Sequence, residues 1–250
     1  MTRLTAALLL GSTFMASPAL SFDISAMSED EKAAFGEAVR DYLMDNPEVL
    51  VESINVLEQR RVAQEAQNDQ QLVAANQDAI FEDGHSWVGG NPDGDVTVVE
   101  FLDYRCGYCR RFNDQVHALI KDDPNVRLIL KEYPILGQDS EASSRFAIAV
   151  KQIAGDEAYM KAHDELITLR SEASLEALQG VAEKIGVDPT EVVNRMNTED
   201  VTAVLRANRQ LGETMAISGT PTFIIGGEMI RGVPPGGLEE LVQAARDEAS

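Results

Sequence analysis

The chain has 250 residues, with 21 Lys and Arg against 42 Asp and Glu, a formal net charge of −21, and only two cysteines, Cys106 and Cys109. An apolar share of 44% excludes a collagen-like or wholly disordered polymer. The acidic balance, with no clustered basic surface, excludes a nucleic-acid binder. Two cysteines are too few for a disulfide-stapled scaffold, and a closed zinc site needs four ligands, to which only His85, His117 and His163 could add.

Met1-Thr2-Arg3 precedes an apolar run from Leu4 to Ala16, and no acid occurs before Asp23. The run is shorter than the roughly 20 residues that span a bilayer. Ala19-Leu20-Ser21 supplies small residues for cleavage, so residues 1–21 are expected to be an export signal. The compartment is then an oxidising periplasm, where a lone Cys-x-x-Cys can be a working redox pair. Ser28 with Glu31 is a capping box, and Phe35, Val39, Tyr42 and Leu43 mark one helical face. Asn46-Pro47 restarts a helix, with Leu50, Ile54 and Leu57 continuing the stripe. The Gln-rich stretch from Glu58 to Gln77 has few apolar positions. Residues 22–78 therefore read as a helical arm, lying either on the main domain or against copies of itself.

The main domain is expected over residues 79–250. Gly89 to Gly94 reads as a loop, Val96 to Leu102 as a buried strand, and Cys106 to Ala118 as a helix. Val126 to Ile135 holds the next strand. A helical block over about 138–213 follows, broken by Gly, Asp and Pro signals. Pro221 to Ile225, the Gly226-Gly227 turn and Glu228 to Ile230 form a hairpin, and the last helix runs from about Gly237 to Ala249. This order predicts an α/β sheet with a helical insertion, and no internal repeat is present.

The chemistry centres on Glu100 to Phe112, EFLDYRCGYCRRF. A thiol reacts as its thiolate, and free cysteine titrates near about 8.5. A helix N-terminus at Cys106 aims unpaired N–H groups at the sulfur and favours the anion. Cys106 is therefore the expected nucleophile, exposed at the helix tip, and the deeper Cys109 the resolving thiol. An inert structural bridge is the bland alternative, although so short a loop removes little chain entropy. Glu100 interrupts an apolar strand. It either faces out at an edge or is a buried acid able to relay protons to the resolving thiol. In Gly219-Thr220-Pro221 a proline opens a strand; composition alone favours an ordinary trans turn, and a cis bond would free the Thr220 backbone for an incoming peptide.

Gly90-Asn91-Pro92, Glu100-Phe101-x-Asp103-Tyr104-x-Cys106-x-x-Cys109, a helical insertion and Gly219-Thr220-Pro221-Thr222-Phe223, in this order, resemble the DsbA-like branch of thioredoxin-fold thiol–disulfide oxidoreductases. The resemblance covers about residues 80–250. It implies a thioredoxin-like fold, Cys106 as nucleophile, Cys109 as its buried partner, Glu100 as the buried acid, Pro221 as a cis-proline facing the cysteines and Thr220 as a contact to substrate backbone. Strongly oxidising members usually carry Pro-His where Gly107-Tyr108 stands here, and exported isomerases often share the Thr before the proline. The arm, through Asn46-Pro47-Glu48-Val49-Leu50, is similar to the oligomer-forming segment of suppressor-of-copper-sensitivity C type isomerases. The implied protein is a periplasmic disulfide isomerase, with no cofactor or metal. Its implied substrates are misoxidised exported proteins, and a membrane thiol reductase keeps it reduced. The rival readings are a dithiol oxidase and a Cu(I)-binding or chaperone protein whose two thiolates hold the ion.

Overall fold

The computed structural model describes residues 27–249. The expected export signal lies outside them. Among the described residues no helix is long and apolar enough to cross a membrane. The chain divides between Gln59 and Arg60 into two compact units.

The first unit is helical. Helix α1 (Glu29–Asp45) starts on the Ser28–Glu31 capping box: Glu31 N donates to Ser28 Oγ at 3.3 Å, and Ser28 N donates to Glu31 Oε2 at 2.8 Å. No residue of α1 is buried. Helix α2 (Glu48–Ala75) opens after Pro47 and begins in this unit. Phe35, Tyr42, Leu50, Val51, Ile54 and Leu57 are all exposed, which leaves a large apolar surface without a core to cover it.

The second unit contains the end of α2, the short α3 (Gln77–Phe81) and a five-stranded sheet. Its strands are β1 (Trp87–Gly90), β2 (Val96–Leu102), β3 (Val126–Glu132), β4 (Thr222–Ile225) and β5 (Glu228–Arg231), in the spatial order β1-β3-β2-β4-β5. Only the β2–β3 pair is parallel. Its crossover is helix α4 (Gly107–Asp122), as a parallel pair requires. The helical block comprises α5 (Gln138–Thr168), α6 (Leu175–Ile185), α7 (Pro189–Met196) and α8 (Glu199–Thr214), and α9 (Leu238–Ala249) ends the chain. Gly155, at φ 82, breaks α5 where the sequence places a division.

Strand β2 is covered on both faces. Val98 and Leu102 join a core with Phe112, Val116, Phe146 and Leu166, whereas Val99 and Phe101 join a second core with Ile129, Tyr133, Leu211 and Ile224. Glu100 follows the alternation onto the face of Val98 and Leu102, the face that also holds Cys106 and Cys109.

Two local expectations change. Gly89 and Gly90 belong to strand β1, not to a loop, because β3 supplies an antiparallel partner that composition cannot show. The Trp87 ring lies where a Gly89 side chain would be, and a Gly90 Cβ would meet the Val126 carbonyl oxygen at 2.3 Å, so the glycines let an edge strand pass close. The stretch after Glu58 also buries more than its composition predicts. Val73, Ile80 and the partly buried Leu72 close the second core, and Asp69 takes both guanidinium nitrogens of Arg231 in β5.

Candidate active site

Strand β2 ends at Leu102, and the chain turns through Asp103-Tyr104-Arg105 into α4, whose N-cap is Cys106. Buried Asp103 fixes that turn. One carboxylate oxygen accepts from Arg105 N at 2.8 Å, the other from Ile135 N at 2.8 Å and Leu136 N at 3.1 Å, and its carbonyl accepts from Cys106 N at 3.0 Å. The arginines beside the cysteines mostly serve structure. Arg110 donates to the carbonyls of Tyr104 and Leu169, both at 2.7 Å, and Arg105 to those of Leu169 and Ser171. Arg111 instead lies over the Tyr108 ring, 4.6 Å from its centroid, and Tyr108 is 60% exposed.

Both cysteines are free thiols and both are buried, Cys106 at 6% exposure and Cys109 at 2%. The expected exposure of Cys106 is therefore not met. The loop before β4 covers it, and its thiol donates to the Thr220 carbonyl at 3.0 Å across 114 residues of sequence. The Thr220–Pro221 bond is cis. The Thr220 hydroxyl is buried in the same corner without a hydrogen-bond partner of normal geometry among the described residues. Tyr108, Thr220, Pro221, Arg231 and Val233 line an open, mainly apolar groove of about 370 Å³.

The two thiols are driven apart in acidity. The Cys109 thiol donates to the Cys106 sulfur and favours its anion; burial opposes this, while the Thr220 side-chain hydroxyl and the amides of Cys109 and Tyr108 reinforce it, and Cys106 is lowered to about 5. The same hydrogen bond, then burial and the nearby Glu100 carboxylate, push Cys109 far up. Glu100 is 4% exposed; burial first, then the charges of Cys106 and Glu132, raise it to about 8. One anion is therefore held at Cys106, with protons on the two groups behind it.

A second set of polar groups lies on the same face. Sequence reading named Tyr104 within the motif and His163 among the histidines, but gave neither a role beside the cysteines, and it named neither Glu132 nor Tyr159. Buried Glu132 ends β3, and its Oε1 accepts from Tyr104 Oη at 2.8 Å and Tyr159 Oη at 2.7 Å. Burial raises its carboxyl to about 7, although Ser144, Tyr159 and Tyr104 pull the other way. Tyr104 Oη also lies 3.3 Å from His163 Nδ1, and burial holds His163 down to about 3, neutral at any working pH. The only sequence signal for these groups is the polar residue at the end of an apolar strand, the signal that singled out Glu100.

The raised Glu100 carboxyl has a consequence for stability. Its folded value, about 8, lies above its ordinary 4.5, so the folded protein binds the extra proton and loses stability as pH rises from about 4.5 to about 8. Glu100→Gln is expected to remove this loss, leaving the variant more stable than wild type at pH 9 by on the order of 2 kcal/mol, with little difference at pH 4. Urea unfolding of the reduced protein at the two pH values measures it. An equal difference at both would show that Glu100 ionises normally.

A family model described as a DSBA-like thioredoxin domain matches residues 97–243, which include the cysteines, Glu100, the helical insertion and Pro221. The chain belongs to the DSBA-like thioredoxin family. A second model, the copper resistance protein ScsC N-terminal domain, matches residues 31–64, across α1 and the first half of α2. Among solved structures, a thioredoxin-like oxidoreductase from Silicibacter pomeroyi DSS-3 is 37% identical, covering 69% of this chain and 98% of that one, with a TM-score of 0.63. Proteus mirabilis ScsC in a transitional conformation is 26% identical, covering 90% of this chain and all (100%) of that one, with a TM-score of 0.64. A curated relative, the Na(+)/H(+) antiporter NhaA 1 of Salinispora arenicola, is 29% identical over 148 residues, 58% of this chain and 22% of the antiporter. The chain spans less than two thirds of the length of the first curated relatives it matches. The fold is the thioredoxin-like DSBA fold expected from the resemblance, with the ScsC-type helices before it.

Proposed function

We propose that this DSBA-family protein is a periplasmic thiol–disulfide oxidoreductase that rearranges disulfides in exported proteins, working as an isomerase through a self-associated arm. The observation that carries the redox reading is the Cys106 sulfur, lowered to about 5 and placed beside an apolar groove with Thr220 and Pro221 on its wall. The Cys106 thiolate attacks a substrate disulfide, one substrate sulfur leaves as thiolate, and a mixed disulfide forms. Forming it removes the negative charge that helps keep Glu100 protonated. Glu100 then gives its proton to the departed substrate thiolate or to water and takes the Cys109 proton in its place, and the Cys109 thiolate closes the Cys106–Cys109 bond as the second substrate sulfur leaves. In isomerisation a substrate thiolate resolves the intermediate instead, and Cys106 returns reduced without help. A membrane thiol reductase restores any enzyme that has closed its own disulfide.

The isomerase direction rests on the arm. α1 buries nothing, and the apolar residues of α1 and early α2 are exposed, so a second copy of the same surface is the natural cover. Several active sites facing one cleft hold a misfolded chain while its bonds are shuffled. Ile54→Asp with Leu57→Asp is expected to give a monomer by light scattering. The variant should lose at least about tenfold in reactivating scrambled, disulfide-mismatched ribonuclease while keeping its rate of reducing a small disulfide. A wild-type monomer, or a monomeric variant that isomerises at full rate, overturns the isomerase reading and leaves the redox site standing.

One observation favours an oxidase instead. A thiolate at about 5 stabilises the reduced enzyme and makes its disulfide a better oxidant. Equilibration of the Cys106–Cys109 pair with glutathione decides between them. A potential near about −120 mV, that of a strong oxidant, supports the oxidase.

A further inference from the structure

We propose that His117 on α4 and His163 and Asp164 on α5 form a binding site for a divalent metal ion of the zinc class, separate from the cysteines. One ligand atom of each residue lies within 4.8 Å of the others. The two imidazoles stack at 26° with centroids 5.7 Å apart, and His117 Nε2 is 3.6 Å from Asp164 Oδ1, too far for a hydrogen bond. His117 Nε2 is buried without a hydrogen-bond partner among the described residues. His117 stands 11 residues beyond Cys106 on the same helix, about 16 Å along its axis.

The hydrogen bonds behind His163 choose which nitrogen is bare. Tyr104 Oη spends its one proton on the Glu132 carboxylate, so toward His163 Nδ1 it can only accept. Nδ1 therefore carries the proton of the neutral ring, and Nε2 holds a lone pair. That nitrogen faces the Asn113 side-chain amide, whose oxygen is 2.8 Å away. The contact is of hydrogen-bond length: without metal, the Asn113 amide presents its N–H₂ to this lone pair, and a half-turn of the amide presents its oxygen to a bound ion. Asn113 is one turn before His117 on α4, so its oxygen is available as a fourth ligand. The carboxylate–tyrosine–histidine chain is the outer support that fixes a ligating imidazole. Two imidazoles with one or two oxygens suit a tetrahedral zinc-like ion, whose ligands stand about 3.3 Å apart. His117, 33% exposed, and Asp164, 53% exposed, have open space in which to turn toward that spacing.

The test uses the full chain with Cys106 and Cys109 joined as a disulfide, so that no thiol competes for metal. Calorimetric titration with Zn²⁺ is expected to show one saturable ion per chain, weakened at least about tenfold in His117→Ala. Co²⁺ is expected to give tetrahedral absorption bands in wild type, absent from the variant. Without metal the variant should melt with wild type, because His117 is partly exposed and its Nε2 lacks a bond to lose. Failure of Zn²⁺ to saturate a site, undiminished binding in His117→Ala, or a Co²⁺ spectrum unchanged from that of the aqueous ion each overturns the proposal.

Discussion

Cys106→Ser is expected to abolish disulfide exchange, by more than about a thousandfold, with the fold intact. A serine hydroxyl stays protonated at neutral pH, and oxygen cannot form the mixed disulfide through which the reaction runs. Cys109→Ser keeps the nucleophile and should instead accumulate a covalent enzyme–substrate complex, visible on a non-reducing gel. The pH dependence of alkylation tests the cause. With Cys106 at about 5, its reaction with iodoacetamide should be nearly flat from pH 6 to 8 and fall only as pH drops through about 5. A cysteine of ordinary acidity would gain roughly tenfold per pH unit over that range. The stability of the reduced form follows the same sign. A lowered thiol value means that the stabilisation grows from about 5 toward the ordinary 9 and is lost as pH falls through 5. The raised Cys109 thiol subtracts only above about 9, where an unfolded thiol would ionise. The disulfide form has neither effect, so its excess stability over the dithiol should shrink between pH 4 and pH 7.

Asp83→Ala is expected to destabilise the folded protein by about 3–5 kcal/mol, the cost of leaving a buried charge unpaired. Lys131 is 0% exposed at the last residue but one of β3, on the sheet face away from the cysteines. Its Nζ donates to the Asp83 carboxylate and, at 2.9 Å, to the Ala79 carbonyl. Asp83 also accepts from the amides of His85 and Ser86, both at 2.9 Å, so it closes the chain between α3 and β1. Burial pushes its carboxyl up, but the charge and hydrogen bond of Lys131 and the two bonds from Ser86 outweigh this and hold it at about 2. The sign is that of a lowered acid. The stabilisation is complete above about 4 and is lost as pH falls through about 2. Guanidinium unfolding at pH 7 measures the loss. Asp83→Asn combined with Lys131→Met should recover most of it, because a neutral pair carries no desolvation cost. A loss below about 1 kcal/mol in the single variant would mean that water reaches Lys131.

Much of this molecule is local and therefore legible. The Ser28–Glu31 box, the break at Gly155, the Gly226-Gly227 hairpin and the strand Val96 to Leu102 each depend on neighbours within a few residues. The same holds for Cys106 at the start of α4, because a strand, a three-residue turn and a helix of period 3.6 adjoin in sequence. Strand β1 was hidden because two of its four residues are glycine and its pairing partner is 40 residues away. The Gln-rich end of α2 was hidden because two adjacent apolar residues, Leu72 and Val73, are enough to close a core when a sheet face waits above them.

The sequence by itself determined the redox pair: its position at a helix start, the acid six residues before it and the proline strand to follow. What only the tertiary structure decided is the electrostatics of that pair. The Thr220 carbonyl lies against the Cys106 sulfur, Glu100 points into the cysteine face of the sheet, and Glu132 lies in the same core under two tyrosines and a histidine. These hydrogen bonds join residues 27 to 114 positions apart, and their strength comes from the exclusion of water. Spacing along the chain carries information about periodicity and turns. The shared dielectric of a core assembled from distant strands and helices is a property of the folded volume alone.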